Sequence, residues 1–197
     1  PQSPSFRNWD DQSRVNLFSA CYLWSMSTFS VYLIIYYSKY FKGNFFINYS
    51  AQGFSDCVTM VYVNYLSKKY QNSPNGLSKL LKFLVISLVL LCCVQLFITH
   101  SGLISDQILT FIVPINIMLM RLNCTSVQNF SYHVNQILYP VLIRGKAFAY
   151  TTFASRPFGG LSIVLTEYTD KPMVFVLVYA ASSLLVINKF KEYEGKA

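Results

Sequence analysis

The sequence predicts an all-α integral membrane protein of six transmembrane helices, with both ends on one face. Three observations predict it. Only 12% of the residues are charged while 53% are hydrophobic, and mean hydropathy is +0.37; a soluble domain carries about 25% charged residues. Weakly charged apolar runs recur at lengths that cross a hydrocarbon core of roughly 30 Å as helix. The basic residues fall mainly in the connectors, and mostly in alternate ones.

After a polar lead over 1–14, the six-helix domain occupies 15–197. Val15–Ser38 holds no charge and forms the first span. Gly43–Ser67 holds one, Asp56, and forms the second. Phe83–Ser105 is uncharged around the core FLVISLVLLCCVQLFI, the clearest span of the chain. Gln107–Tyr139 is long enough to cross with tilt, carrying Arg121 and a kink expected at Pro114. Ala147–Thr166 contains Arg156, and Pro172–Asn188 is short but almost wholly apolar. The hydrophilic stretch Lys68–Lys82, with QNSPNG inside it, reads as a turn-rich connection. Tyr36, Tyr37, Tyr40, Tyr65, Tyr70, Tyr168 and Tyr193 stand at span ends, as an interfacial aromatic belt requires.

Six crossings put eleven basic residues on the face with the termini (Arg7, Arg14, Lys68, Lys69, Lys79, Lys82, Arg144, Lys146, Lys189, Lys191, Lys196) and three on the other (Lys39, Lys42, Lys171). The positive-inside rule then places both termini in the cytosol, or in the matrix of an organelle. Plasma membrane and mitochondrial inner membrane are not distinguished. No secretory or transit peptide is legible, and with Pro1 leading, a processed, trimmed or partial chain is expected.

The net charge of +8 fits this topology better than nucleic-acid binding. The five cysteines lie in apolar stretches without a CxxC pair and read as small buried hydrophobes. His100 and His133 stand near opposite ends of their spans, about 40 Å apart along a straight helix, too far to share a haem. No phosphate loop, catalytic triad or metal-ligand cluster is legible, so neither an enzyme nor a cofactor is expected.

Several segments follow a known pattern. After span four the chain reads Ile137-Leu138-Tyr139-Pro140-Val141-Leu142-Ile143-Arg144-Gly145, against a family pattern of roughly E-L-Y-P-T-x-x-R. Arg121 stands sixteen positions before Ile137, and Arg156 twelve after Arg144, followed by Gly159-Gly160. Span one carries Tyr22-Leu23-Trp24 and then Tyr32 near its centre. Asn64-Tyr65-Leu66-Ser67-Lys68-Lys69 follows a signature similar to D-R-x-G-R-R, and Glu192-Tyr193-Glu194-Gly195-Lys196 is similar to a P-E-T-K-G tail. Together these resemble the C-terminal six-helix half of a major facilitator superfamily transporter, in the organic-ion (organic anion and cation) branch. The signature motifs are degenerate: the loop acid is Ile137, and the signature's acid and arginine are Asn64 and Tyr65.

The resemblance implies a half-bundle that transports small organic ions by alternating access with a partner half. Arg156 then falls where that branch carries its charge-selecting residue, and an arginine there implies an anionic substrate. Arg121 would line the central cavity, with Tyr32 and Gln128 as further substrate contacts. Asn64, Lys68, Lys69, Tyr139, Pro140 and Arg144 would form the gating motifs. The residues themselves leave other readings open. Either arginine can serve as an interhelical contact, and Asp56 can pair with one of them or serve proton coupling. Gln52, Gln128, Asn129 and Asn135 can hydrogen-bond between helices. The lost motif charges also fit a transport-inactive accessory subunit, held by lipid in a larger membrane complex such as a protist mitochondrial respiratory assembly.

Overall fold

The computed structural model describes residues 9–41, 43–70, 76–101 and 105–190. Six α-helices make up almost all of this: α1 (Asp11–Tyr37), α2 (Phe45–Tyr70), α3 (Gly76–Ser101), α4 (Asp106–Leu138), α5 (Val141–Tyr168) and α6 (Pro172–Ile187). A 3-10 turn, Ser38–Tyr40, extends α1. Three helices, α1, α3 and α4, are long and apolar enough to cross a membrane, and α6 is a shorter apolar helix.

Local chemistry explains the boundaries. Asp10 caps α1 by accepting the Gln12 N–H at 3.2 Å, so the helix begins inside the polar lead. Pro140 stops α4 and starts α5, since its missing N–H cannot continue the first helix and suits the mouth of the second. Gly43 turns the chain with φ 105°, a backbone region that side chains disfavour, and its Cα side faces Thr110 on α4. The Lys68–Lys82 stretch departs from its expected loop. Lys68 and Lys69 complete the last turn of α2, while Lys79 and Lys82 already lie on α3. Lysine and glutamine tolerate helix well, and cations stabilise a helix C-terminus. Residues 71–75, between the two helices, lie outside the described residues with 1–8, 42, 102–104 and 191–197.

α1 is the central helix. Every residue from Leu23 to Val31 is buried, because α4, α5 and α6 cover it on different sides. After Ile143, the stripe that α5 turns inward is small: Ala147, Thr151, Ser155, Gly159, Ser162 and Thr166. Small residues let backbones approach closely, the means by which helices associate where no hydrophobic effect separates lipid from side chain. α2 buries a polar stripe, Asn48, Gln52, Ser55 and Thr59, and packs mainly on α4. α3 inserts Leu80, Leu84, Leu88 and Cys92 between α4 and α6.

The main packing pairs are α1 with α4, α5 and α6, α4 with α2 and α3, and α3 with α6. Exchanging helices one to three for four to six maps this set onto itself. Outward, the bundle presents large apolar side chains such as Phe46, Phe111, Phe153 and Val178, a surface suited to lipid rather than water. The cysteines divide: Cys92 and Cys124 are buried as expected, but Cys57 and Cys93 are exposed on this outer surface.

Candidate functional site

The sequence places one acid and two arginines inside its apolar runs, and the fold joins two of the three. Arg121, midway along α4, meets Asp56 on α2 through paired hydrogen bonds, Nε to Oδ1 at 3.2 Å and Nη2 to Oδ2 at 3.1 Å. Its Nη1 donates to the Val31 carbonyl of α1 at 3.2 Å, and Thr125 Oγ1 donates to Asp56 Oδ1 at 3.4 Å. One planar guanidinium therefore ties α4, α2 and α1 together. The fork geometry matches a carboxylate in a way a lysine could not. Arg121 is the buried partner, 12% exposed against 45% for Asp56, so the carboxylate forms the outer edge of the pair.

Tyr32 follows Val31 on α1, about 100° further round the helix, and meets α5. Its ring stacks on Tyr36 at 6.4 Å and lies over Gly159 of α5, where a Cβ would come within 3.1 Å of the ring. Gly159 is the residue that lets the ring rest against the α5 backbone. Arg156, one turn before it, is exposed and makes no ion pair with any described residue. Asp56 thus belongs to Arg121 and leaves Arg156 without an acidic partner among the described residues. Gln128 lies half-buried, two turns along α4 from Arg121.

The motif residues form a second cluster where α4 meets α5. Tyr139 is buried with its ring 6.3 Å from Trp9, and Arg144 Nη2 donates to the Tyr139 carbonyl at 3.4 Å across the Pro140 corner. A groove of about 340 Å³ opens here, lined by Tyr132, Asn135, Val141, Arg144, Gly145 and Phe148. Asn64, Lys68 and Lys69 are exposed on the last turns of α2, and neither lysine makes an ion pair with a described residue.

Sequence reasoning did not anticipate several contacts. Gln95 and Asn116 are 1% and 4% exposed and join α3 to α4 through a 2.8 Å hydrogen bond. Tyr22 and Ser182 join α1 to α6 at 2.6 Å. A polar residue interrupting an apolar run was the available signal for the first pair. At the opposite end of α1 from its cap, Lys39 pairs with Glu167 of α5, and Tyr40 donates to the same carboxylate at 3.0 Å. The hydrogen bond from Lys39, then that from Tyr40, hold Glu167 below the ordinary carboxylate value, and the contacts of Lys39 with Glu167, then with Tyr40, raise Lys39.

The chain matches no known family profile, no curated protein and no solved structure.

Proposed function

We propose that this chain is a membrane-embedded six-helix half of a secondary carrier for small organic anions, working by alternating access with a partner half. The observation that carries the reading is the self-mapping of its helix packing, three helices against three. Carrier halves of the major facilitator type are built from such nested three-helix repeats, with the substrate at mid-membrane between halves. The motif resemblance along the chain points the same way. Arg156 supports the anion: an exposed arginine within an apolar run, without an acidic partner among the described residues, calls for a negatively charged group. A carboxylate would accept its two parallel N–H groups. Arg121 holds the frame, and Tyr32 gives an aromatic surface against α5.

A second reading stands on a specific observation. All three nitrogens of Arg121 are engaged within the bundle, and the loop acid of the carrier motif is replaced by Ile137. A half-carrier stripped of gating charge suits an accessory subunit of a larger membrane assembly. Reconstituted uptake of a labelled organic monocarboxylate, by the full-length gene product and its Arg156→Ala variant, separates the two. Uptake abolished by Arg156→Ala supports the carrier. Absence of uptake by every form, with co-purification in a large complex, supports the accessory subunit.

A further inference from the structure

The groove between the end of α4 and the start of α5 has the donors, the acceptor and the size of a ligand seat. Its cation is Arg144, whose Nη2 is held by the Tyr139 carbonyl while its Nε is buried without a hydrogen-bond partner among the described residues. Arg144 belongs to the first turn of α5, whose N-cap is Pro140 with no side-chain cap, so the positive end of the helix faces the same region. No acidic residue lines the groove. An anion is therefore favoured here by a side chain and by a backbone dipole together.

Asn135 narrows the choice. It is 2% exposed, its Nδ2 donates to Thr151 Oγ1 at 3.4 Å, and its Oδ1 has no partner among the described residues. Thr151 spends its own proton on the Phe148 carbonyl at 2.9 Å, which fixes the amide in this sense. Asn135 lines the groove, and an unmet buried acceptor costs about 1–3 kcal/mol, which a donor brought by a ligand offsets once the amide turns to it. Bare anions supply none. The walls are the rings of Tyr132 and Phe148, 5.4 Å apart, and the rim continues into the exposed apolar side chains of Val141 and Leu142.

We propose that this groove binds a phosphate group that carries its own hydrogen-bond donor, as in the glycerol or ethanolamine headgroup of a membrane phospholipid. Arg144 takes the phosphate, Asn135 Oδ1 accepts from the headgroup hydroxyl or ammonium, and the acyl chains lie over Val141 and Leu142. The inference shares with the proposed function the membrane embedding of these helices, and is independent of transport.

The test is lipid retention by the purified full chain, read by native mass spectrometry from nanodiscs of phosphatidylcholine doped with phosphatidylglycerol. Phosphatidylcholine offers the same phosphate without a donor, so the comparison isolates the donor half of the seat, and the total phospholipid retained reads the phosphate half. The chain is expected to retain phosphatidylglycerol about tenfold over its bulk share. Arg144→Gln lowers the total phospholipid retained severalfold, Arg144→Lys keeps part of it, and Asn135→Leu leaves total retention in place but removes the preference over phosphatidylcholine. Gly160→Ala, at an open exposed position, keeps it in full. Unchanged total retention in Arg144→Gln, unchanged preference in Asn135→Leu, or no preference in the native chain overturns the proposal. Added glycerol 3-phosphate separates the sources: displacement of the lipid assigns the seat to the phosphate head alone, and failure to displace it assigns the seat to the whole lipid. Circular dichroism of each variant excludes misfolding, and uptake measurements play no part in the outcome.

Discussion

Arg121 and Asp56 meet by two hydrogen bonds of 3.2 and 3.1 Å, and the arginine's third nitrogen reaches the backbone of a third helix at Val31. The pair sits in helices whose surroundings solvate charge poorly, so each partner is the other's main compensation. Removing one leaves the other stranded.

Asp56→Ala is therefore expected to destabilise the bundle by about 2 kcal/mol, below the 3–5 of a fully buried pair because Asp56 is half exposed. Arg121→Ala alone should cost a similar amount. The double variant should cost clearly less than the sum, since no lone charge remains. Thermal unfolding in detergent reads all three. Additive losses would mean that the two side chains act separately.

The glycine pair after Arg156 gives an asymmetric prediction. A methyl at Gly159 meets the Tyr32 ring at 3.1 Å, whereas one at Gly160 meets nothing within 4 Å. Gly159→Val should cost about 1–3 kcal/mol by overpacking, and Gly160→Ala should be neutral or mildly stabilising. Tyr32→Ala added to Gly159→Val should recover part of the loss. Equal effects at the two glycines would show that the α1–α5 contact is not tight at this point.

Much of this arrangement was legible in the sequence, for a physical reason. A helix in lipid must satisfy its backbone internally and present apolar side chains outward, so the apolar runs mark the helices. The boundaries were less legible. α3 begins at Gly76, ahead of the run that opens at Phe83, because helix formation is not confined to the apolar core. The pairing of Asp56 stood as one of two options, since spacing along a chain does not say which of two arginines a third helix brings near. Gln95 with Asn116 and Tyr22 with Ser182 were hidden for the same reason. Each depends on the rotation of two helices, and helix rotation is set by packing rather than by any local run.

The Lys39–Glu167 contact makes the link between the end of α1 and the end of α5 sensitive to pH. Glu167 titrates below its ordinary value in the folded chain, so its contribution is present above the ordinary carboxylate range and is lost as pH falls through the lowered value. Lys39 is raised, so its contribution holds below the ordinary lysine range and is lost as pH rises through the raised value. Native protein should exceed Glu167→Gln in thermal midpoint on the plateau between about pH 5 and pH 10, and the two should converge as pH falls below the ordinary carboxylate range. A midpoint difference that persists undiminished in acid would sever the effect from this carboxylate.

The buried amides of α3 and α4 give the sharpest test of helix rotation. Asn116 Nδ2 donates to Gln95 Oε1 at 2.8 Å and to the Leu91 carbonyl at 3.3 Å. Both side chains are almost fully buried, as are Leu88, Cys92, Val113 and Ile117 on the same two helices. Asn116→Leu leaves the Gln95 carbonyl group without its partner, and interhelical hydrogen bonds of this kind are worth about 0.6 kcal/mol on average and up to about 1.7. Replacing both, Gln95→Leu with Asn116→Leu, removes the stranded polar group and should return stability to near the native level or above it. The single variant should therefore be less stable than the double, a reversal that no simple loss of contacts produces. A double variant no more stable than Asn116→Leu alone would place Gln95 and Asn116 on different faces of their helices and require α3 or α4 to be rotated.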